Sequence, residues 1–401
     1  MVNLDQFAAS PGPDARHPRL LRDLAVGAAV VLAATAVAQG PASREGFHRR
    51  HWEDRRFFVH NRDNISTIGE CFTRPSAWPG LYRPLTTNCY YLLGRTLWQN
   101  RIETYHAVNL ACFFANGVLL VWLGLDWMPA PWAWLAGALF VSRLAHHQLV
   151  ADSVEFQSLA SAFFSLLALK MFLAGRGSDR RSLEVLALPV GVLAFLSKET
   201  AVVWPAIAAL HGWLFDRPSA ARRYLPPLVT AAAWLLLLGL VIRPRVTPEP
   251  TGFEYDFSGA VVERYAAFLL VFLNPLYLGT APDAEMPPAV LRLASSGLAR
   301  IVFCALVAAE AAAVWRWRRR PPEGNAGRLA AFGLGWFLVA AAPYVILQDR
   351  LFMRYSYFPH AGLAVALAAV AAVLARRLAA LDLLRSLRPG REAPGGRMAD
   401  A

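Results

Sequence analysis

The first residues that could do chemistry are two adjacent acids near the start of the chain. Glu53 and Asp54 lie in the polar segment that runs from His51 to Phe58. A carboxylate held at a membrane surface can act as a general base toward a hydroxyl group. Because Arg55 and Arg56 follow directly, the segment also fits an ordinary solvated mixture of charges, and spacing alone favours that interpretation.

Two later segments place a cation where an anion could bind. Lys198 and Glu199 lie in a very short turn between two apolar runs. A charged side chain between two apolar segments that would lie in a membrane needs a partner or a function. Lys198 is suited to a phosphate as a point charge, and a Lys198–Glu199 pair that caps the next helix is the rival interpretation. Further on, Arg354 stands beside Tyr355 and Tyr357, which suits a phosphate or a sugar. The alternative for this segment is a belt of aromatic residues at the membrane–water interface, with an arginine whose charged end extends into that interface.

Histidines and acids also gather in the segment from His146 to Glu155. They could bind a metal, but adjacent histidines rarely ligate one ion, and no HxxxH spacing is present. We therefore predict no metal site and no cofactor, while a divalent metal stays compatible with the sequence. Cys71 and Cys89 share one polar stretch and could form a disulfide or remain two free thiols; both possibilities stay open.

Long apolar runs must position these polar segments. Hydrophobic residues make up 56% of the chain and charged residues only 17%, whereas a soluble domain carries about a quarter charged residues. Runs of about 20 apolar residues span a bilayer as helices. The sequence therefore predicts an all-α polytopic membrane protein and excludes a soluble enzyme. The net charge of +12 reflects arginines in short loops, which follow the positive-inside rule, so no nucleic acid partner is predicted.

Placing the basic loops in the cytoplasm predicts about ten transmembrane helices with both termini inside. The apolar stretch 261–278 is interpreted as a re-entrant helix broken at Asn274 and Pro275, because a full crossing would put the arginines at 316–320 outside. The predicted domains are a cytoplasmic tail (1–23), a transmembrane domain (24–375) that includes an external catalytic loop (41–103), and a cytoplasmic amphipathic and disordered tail (376–401). The ten predicted spans are about 24–40, 104–125, 131–145, 156–173, 183–196, 201–215, 225–242, 298–315, 329–347 and 361–375.

Taken in order, short motifs in these segments resemble the GT-C fold glycosyltransferases that use polyprenyl-phosphate sugars. The resemblance is to the protein O-mannosyltransferase-like group, which includes the transmembrane-and-TPR O-mannosyltransferases, and it covers about residues 50–375. The matching elements are the acidic pair Glu53-Asp54, Tyr82-Arg-Pro-Leu-Thr-Thr87, Tyr105-His106-x-x-Asn109, Leu196-Ser-Lys-Glu199 and Arg354-Tyr-x-Tyr-x-Pro359.

The chain also departs from the family pattern. Of the His-Pro-x-His-x-Glu element it keeps only His146, and Gln148 replaces the acid. Met353 stands where the family has a glutamate, and the sequence predicts no TPR array.

The resemblance implies a hexosyltransferase, similar to mannosyltransferases, that moves a sugar with inversion from a polyprenyl-phosphate donor to an acceptor hydroxyl. The site would face the periplasm or outside of a bacterial inner membrane, and membrane lipids would be the other partners. Asp54 and Glu53 would be the catalytic carboxylates, and cations would stabilise the leaving phosphate. The sugar, the prenyl carrier and the acceptor, whether protein, glycan or lipid, stay open. The substrate-binding residues implied are Tyr82, Arg83, His106, His146, Gln148, Lys198, Glu199, Arg354, Tyr355 and Tyr357.

Two other functions stay open at this point. The protein could be a lipid flippase or transporter, or a non-catalytic scaffold that binds lipid. Coupled transporters often contain inverted repeats and ionisable groups at mid-bilayer, and the sequence shows no such repeat. The residues that depart from the family pattern, Arg143, Gln148 and Met353, are compatible with a scaffold.

Overall fold

A computed structural model describes residues 13–44, 52–78, 80–178, 180–216, 222–246, 254–273, 288–319, 325–347 and 351–386. Within these ranges the chain forms seventeen α-helices, joined in places by 3-10 and π-helical segments, and one isolated β-bridge pairs Tyr255 with Leu347. The helices are α1 (Pro13–Arg44), α2 (Trp52–Asn64), α3 (Ile68–Thr73), α4 (Tyr90–Trp98), α5 (Ile102–Trp127), α6 (Ala130–Val141), α7 (His147–Ala151), α8 (Phe156–Gly177), α9 (Arg181–Ser197), α10 (Trp204–Phe215), α11 (Leu225–Leu237), α12 (Arg243–Val246), α13 (Ala260–Leu273), α14 (Pro288–Ala294), α15 (Gly297–Arg319), α16 (Ala326–Val345) and α17 (Tyr357–Ser386).

Seven helical stretches in the described residues are long and apolar enough to cross a membrane. The predicted all-α polytopic architecture is consistent with this finding. Three of the ten predicted spans fall on α6, α9 and α10, which have 12, 17 and 12 residues, fewer than the about 20 that a span needs. The count of ten therefore stays a prediction. The seven stretches are Pro18–Gln39, Ile102–Trp127, Ser153–Gly177, Arg222–Val246, Gly297–Arg316, Ala326–Val345 and Met353–Ala379.

Helix α13 covers most of the stretch that was predicted to be re-entrant. Its 14 residues correspond to about 21 Å at 1.5 Å per residue, less than the ~30 Å hydrocarbon core. Arg143 Nη1 donates to the carbonyl of Phe272 at 2.7 Å, and His360 Nε2 donates to the carbonyl of Phe268 at 3.1 Å. These bonds attach α13 to the bundle. The predicted break at 274–275 lies outside the described residues, so the re-entrant path stays a prediction.

The polar stretch after α1 is largely helical and docks on the bundle. Phe57 and Phe58 of α2 contact the ring of Tyr91 in α4, with centroids 5.5 and 5.1 Å apart. The Tyr91 hydroxyl shares a 3.0 Å hydrogen bond with Ser153 Oγ, and α2 itself packs against the 3-10 segment Ser153–Glu155. The predicted external loop is thus fixed against the start of α8.

Helices α16 and α17 approach each other closely because two glycines face one another. A Cβ atom on either Gly333 or Gly362 would lie 2.5 Å from the carbonyl oxygen of the other, closer than any real packing contact. At the end of α16, the ring of Tyr344 stacks on that of Tyr355, which precedes α17, with centroids 4.7 Å apart.

The last helix is longer than the sequence analysis predicted. Instead of ending near Ala375 and giving way to a separate interfacial helix, α17 continues through Arg376 and Arg377 to Ser386. No glycine or proline interrupts the chain between 363 and 387, so no residue there favours a helix end. Residues 387–401 of the predicted tail lie outside the described residues.

Candidate functional site

In the turn between α9 and α10, the neighbouring residues Lys198 and Glu199 contact different partners. Lys198 has an extended backbone (φ −160°, ψ 132°) between the end of α9 and the 3-10 segment Glu199–Val203. Its side chain is only 3% exposed, and its Nζ donates to Ser158 Oγ at 2.8 Å. No ion pair joins Lys198 to a carboxylate among the residues that the structure describes. The Lys198–Glu199 pair that was the rival interpretation does not form.

Glu199 pairs instead with Arg83, from the polar stretch after α1. Arg83 Nε donates to Glu199 Oε2 at 2.7 Å, and its Nη2 contacts Oε1. Arg83 Nη1 also donates to Gln157 Oε1 at 2.6 Å. Burial opposes ionisation of Glu199, but Arg83 outweighs it and lowers the pKa of that carboxyl to about 2. The pair therefore stays charged at neutral pH.

A π-helical segment, Pro84–Cys89, positions Arg83 at this pair. Thr86 Oγ1 donates to the carbonyl of Ser197 at 2.7 Å, and Thr87 Oγ1 donates back to the carbonyl of Arg83 at 2.7 Å. Segments of this kind are rare and often occur at functional sites. The Tyr82 to Thr87 element is thus bonded directly to the end of α9.

A second buried pair lies behind Lys198. Arg354 Nε is 3.1 Å from Glu155 Oε1, and the Glu155 side chain is 2% exposed. Ser158 Oγ donates to Glu155 Oε2 at 2.8 Å and accepts from Lys198. Arg354, Glu155, Ser158 and Lys198 therefore form one continuous polar chain, and Arg354 does not reach out to an interface as an aromatic-belt arginine would.

Two stacked tyrosines close this side of the site. The rings of Tyr344 and Tyr355 are 4.7 Å apart, and Lys198 Nζ lies 5.4 and 5.1 Å from their centroids. Tyr344 also shares a 2.8 Å hydrogen bond with Thr200. Aromatic faces stabilise a nearby cation, so the rings partly compensate for the missing carboxylate at Lys198.

Arg83, Lys198, Glu199, Tyr344 and Tyr355 form one end of a cleft of about 310 Å³. Beyond the charged end, the wall is apolar and includes Leu235 and Leu238 of the α11 region. Leu235 is also 48% exposed, so the cleft continues onto the apolar outer surface of α11. Such a cleft suits an amphiphile with an anionic head and an apolar chain. The full lining is Arg83, Lys198, Glu199, Thr200, Val202, Leu235, Leu238, Gly239, Arg243, Tyr255, Pro343, Tyr344, Ile346, Leu347 and Tyr355.

Burial lowers the pKa of the Lys198 ammonium to about 8, and the charges of Glu155, Arg83, Glu199 and Arg354 around it act in both directions. A lysine with this pKa is largely protonated at pH 7 and can hold an anion. Perturbed ionisable groups in a cleft are a common property of functional sites.

Two predicted residues lie in a separate buried layer. His146 is fully buried, and its Nε2 donates to His360 Nδ1 at 3.0 Å. The Tyr357 ring stacks on Phe140 with centroids 4.7 Å apart, although Tyr357 also borders a cavity of about 10 Å³ beside Lys198. His146 therefore packs in the core and does not line the cleft.

The remaining predicted residues are spread out. Tyr82 precedes Arg83 in the chain but does not line the cleft; its hydroxyl donates to the carbonyl of Phe72 at 3.1 Å, and its ring lies 6.3 Å from that of Trp234. His106 in α5 and Gln148 in α7 do not line the cleft. Glu53 and Asp54 begin α2, and their side chains lie outside the described part of the structure. Five of the predicted residues, Arg83, Lys198, Glu199, Arg354 and Tyr355, come together.

Sequence reasoning missed Ser158, Gln157 and Tyr344, and gave Glu155 only a possible metal role. Ser158 lies three residues after Glu155, a spacing that brings side chains together on one helical face, and this was the available signal. Among the described residues, no group of three or more His, Cys, Asp or Glu side chains is arranged as metal ligands.

Comparison with known proteins finds no matching family model, no matching curated protein and no matching solved structure.

Proposed function

We propose that the protein is a membrane glycosyltransferase that moves a sugar from a polyprenyl-phosphate donor to an acceptor hydroxyl. The observation that carries the proposal is Lys198, a buried cation without a carboxylate partner in the described residues, at the charged end of a cleft with an apolar wall. Burying a charge is costly unless it is paired. A bound phosphate would supply the missing charge.

The cleft matches both parts of such a donor. Arg83, Lys198 and Arg243 line the cleft with a single carboxylate, Glu199, so the lining as a whole carries an excess of positive charge that attracts an anion. The apolar wall offers a place for isoprene units. When the bond from the sugar to the phosphate breaks, negative charge grows on the phosphate, and fixed cations stabilise that charge in the transition state.

The remaining cation, Arg354, does not line the cleft. It lies behind Tyr355, with its guanidinium carbon 5.7 Å from the centre of that ring. Because Glu155 neutralises its charge, Arg354 acts in the proposal by position: through Glu155 and Ser158 it holds the Lys198 ammonium in place.

Asp54 is the proposed general base. It lies one turn before Phe57 and Phe58 in α2, the helix that packs against Ser153–Glu155. Ser158 follows that segment by three residues and accepts the hydrogen bond from Lys198. In the proposed reaction Asp54 accepts the acceptor's hydroxyl proton, the hydroxyl oxygen attacks the anomeric carbon, and the phosphate leaves with the bonding electrons. Displacement from the opposite face inverts the anomeric centre.

The proposed location is a bacterial inner membrane, with the cleft open to the external side. This orientation follows from the arginine-rich loops, which the positive-inside rule assigns to the cytoplasm. The acceptor belongs to one of three classes, a protein, a glycan or a lipid that carries a free hydroxyl.

The test measures transfer of label from a panel of radiolabelled polyprenyl-phosphate sugars to membrane extract. Wild type and Asp63→Asn should transfer label from at least one donor, because Asp63 is an exposed acid of the same helix. Asp54→Asn should be slower by about 10²-fold or more, the usual effect of losing a general base.

Two results would contradict the proposal. If folded wild type binds a donor but transfers label from none, the protein is a flippase or a scaffold instead. If Asp54→Asn transfers as well as Asp63→Asn does, the base is another residue.

A further inference from the structure

Two cysteines lie where α3 packs against the π-helical segment Pro84–Cys89. Cys71 belongs to α3, and Cys89 is the last residue of the π-helical segment. Asn88 Nδ2 donates to the carbonyl of Cys71 at 2.9 Å and to that of Arg74 at 3.3 Å. These bonds hold the two backbones side by side at the position of the cysteines.

The two thiols share one small apolar cluster. Cys71 is fully buried there between Ile65 and Leu92, and Cys89 packs against the same residues. Burial, and next the neighbouring Cys89 thiol, raise the pKa of the Cys71 thiol to about 12. A thiol with such a pKa is a poor nucleophile and metal ligand at neutral pH. The pair is therefore unsuited to catalysis but well placed for a structural bond.

We propose that Cys71 and Cys89 form an intramolecular disulfide in the mature protein. Each thiol loses one proton and one electron as the sulfur–sulfur bond forms, and a disulfide-containing protein oxidant is reduced to two thiols. Folding buries Cys71, partly buries Cys89 and raises the pKa of both thiols. Because the thiolate is the attacking form, the exchange is faster before α3 and the π-helical segment close on each other. The inference also requires that this part of the chain face an oxidising compartment.

The bond would close a short loop that contains Arg83. It would tie the π-helical segment to α3 and so limit the positions that Arg83 can adopt at Glu199. Cross-links stabilise mainly by restricting the unfolded chain. The proposed disulfide is independent of the proposed transferase activity and would stand if that activity were absent.

The test is to lyse cells in excess alkylating reagent without reductant and to digest the full-length protein for mass spectrometry. We expect the peptides that contain Cys71 and Cys89 to be joined and lighter by two hydrogens than their sum. Cys112 and Cys304 should both be alkylated after denaturation. In Cys71→Ser, Cys89 should become alkylated, which identifies its partner.

A second measurement tests whether the bond stabilises the folded protein. Reductant should lower the melting temperature of wild type in detergent and leave that of the Cys71→Ser, Cys89→Ser double variant unchanged. Full alkylation of both cysteines in wild type, or a link from either one to Cys112 or Cys304, would overturn the inference.

Discussion

Replacing Lys198 by methionine is expected to lower kcat/KM for the polyprenyl-phosphate donor by about 10²- to 10³-fold, the usual cost of removing one group that stabilises transition-state charge. Methionine keeps an unbranched apolar stem of similar size but has no ammonium. The Tyr344 and Tyr355 rings and Ser158 would remain in place around it. Initial rates over a range of donor concentration measure the effect.

Lys170 provides a matched control because it is the only other lysine in the chain. It is 5% exposed, pairs with Asp126 at 2.6 Å and does not line the cleft. Lys170→Met should keep kcat/KM near that of wild type once the folded fraction is equalised. An equal loss in both variants would mean that Lys198 acts on stability, and no loss in Lys198→Met would remove it from the donor site.

The same lysine gives the transfer reaction a pH dependence. Burial holds the pKa of Lys198 at about 8, so the free enzyme loses this positive charge as the pH rises through that value. Because kcat/KM reports ionisations of the free enzyme, it should fall above pH 8 and lack this fall in Lys198→Met. A profile that stays flat to pH 10 in wild type would contradict the assignment.

Breaking the Arg83–Glu199 pair is expected to lower the free energy of unfolding by about 3 kcal/mol, the lower end of the range for buried pairs. The lower end applies because Glu199 is 25% exposed, whereas Arg83 is 8% exposed. Arg83→Met leaves a carboxylate without its cation, and Glu199→Gln leaves a buried guanidinium with a weaker acceptor. Unfolding in mixed micelles, followed by tryptophan fluorescence, measures the loss.

The double variant Arg83→Met, Glu199→Gln distinguishes a true pair from two separate effects. Each single change leaves one charged side chain without its charged partner. The double variant should therefore lose less stability than the sum of the losses in the two single variants. The exposed Arg62–Asp63 pair, at 67% and 50% exposure, is the control, and its removal should leave stability essentially unchanged. Additive losses at Arg83 and Glu199 would show that the contact is not coupled.

Much of the architecture could be predicted from the sequence because a membrane imposes simple rules. Long apolar runs and the arginines between them predicted segments that overlap α1, α5, α6, α8 to α11, α13 and α15 to α17, whereas the short helices α7, α12 and α14 were not predicted. Motifs with cations next to aromatic residues or acids predicted Lys198, Arg354 and Tyr355, which do come together. Local patterns suffice where a residue's environment is set by its own helix or turn.

The rest depended on contacts between distant segments. Adjacent Lys198 and Glu199 suggested a local pair, yet the extended backbone at Lys198 separates them, and Glu199 meets Arg83, 116 residues away in sequence. His146 had the residue type of a ligand but packs against His360, 214 positions later. Glu155 likewise pairs with Arg354, a residue far from it in the sequence. No periodicity in one segment predicts such long-range pairs.

Locating a bound polyprenyl phosphate tests whether the cleft is the donor site. A polyprenyl phosphate with a photoreactive group on the isoprene unit next to the phosphate would be irradiated with the protein in lipid nanodiscs, and the adducts mapped by mass spectrometry. We expect adducts within 235–243 and 343–347, which unlabelled polyprenyl phosphate should remove and Lys198→Met should reduce. Adducts spread over the outward surfaces of α1 and α15, unaffected by competitor, would contradict this assignment.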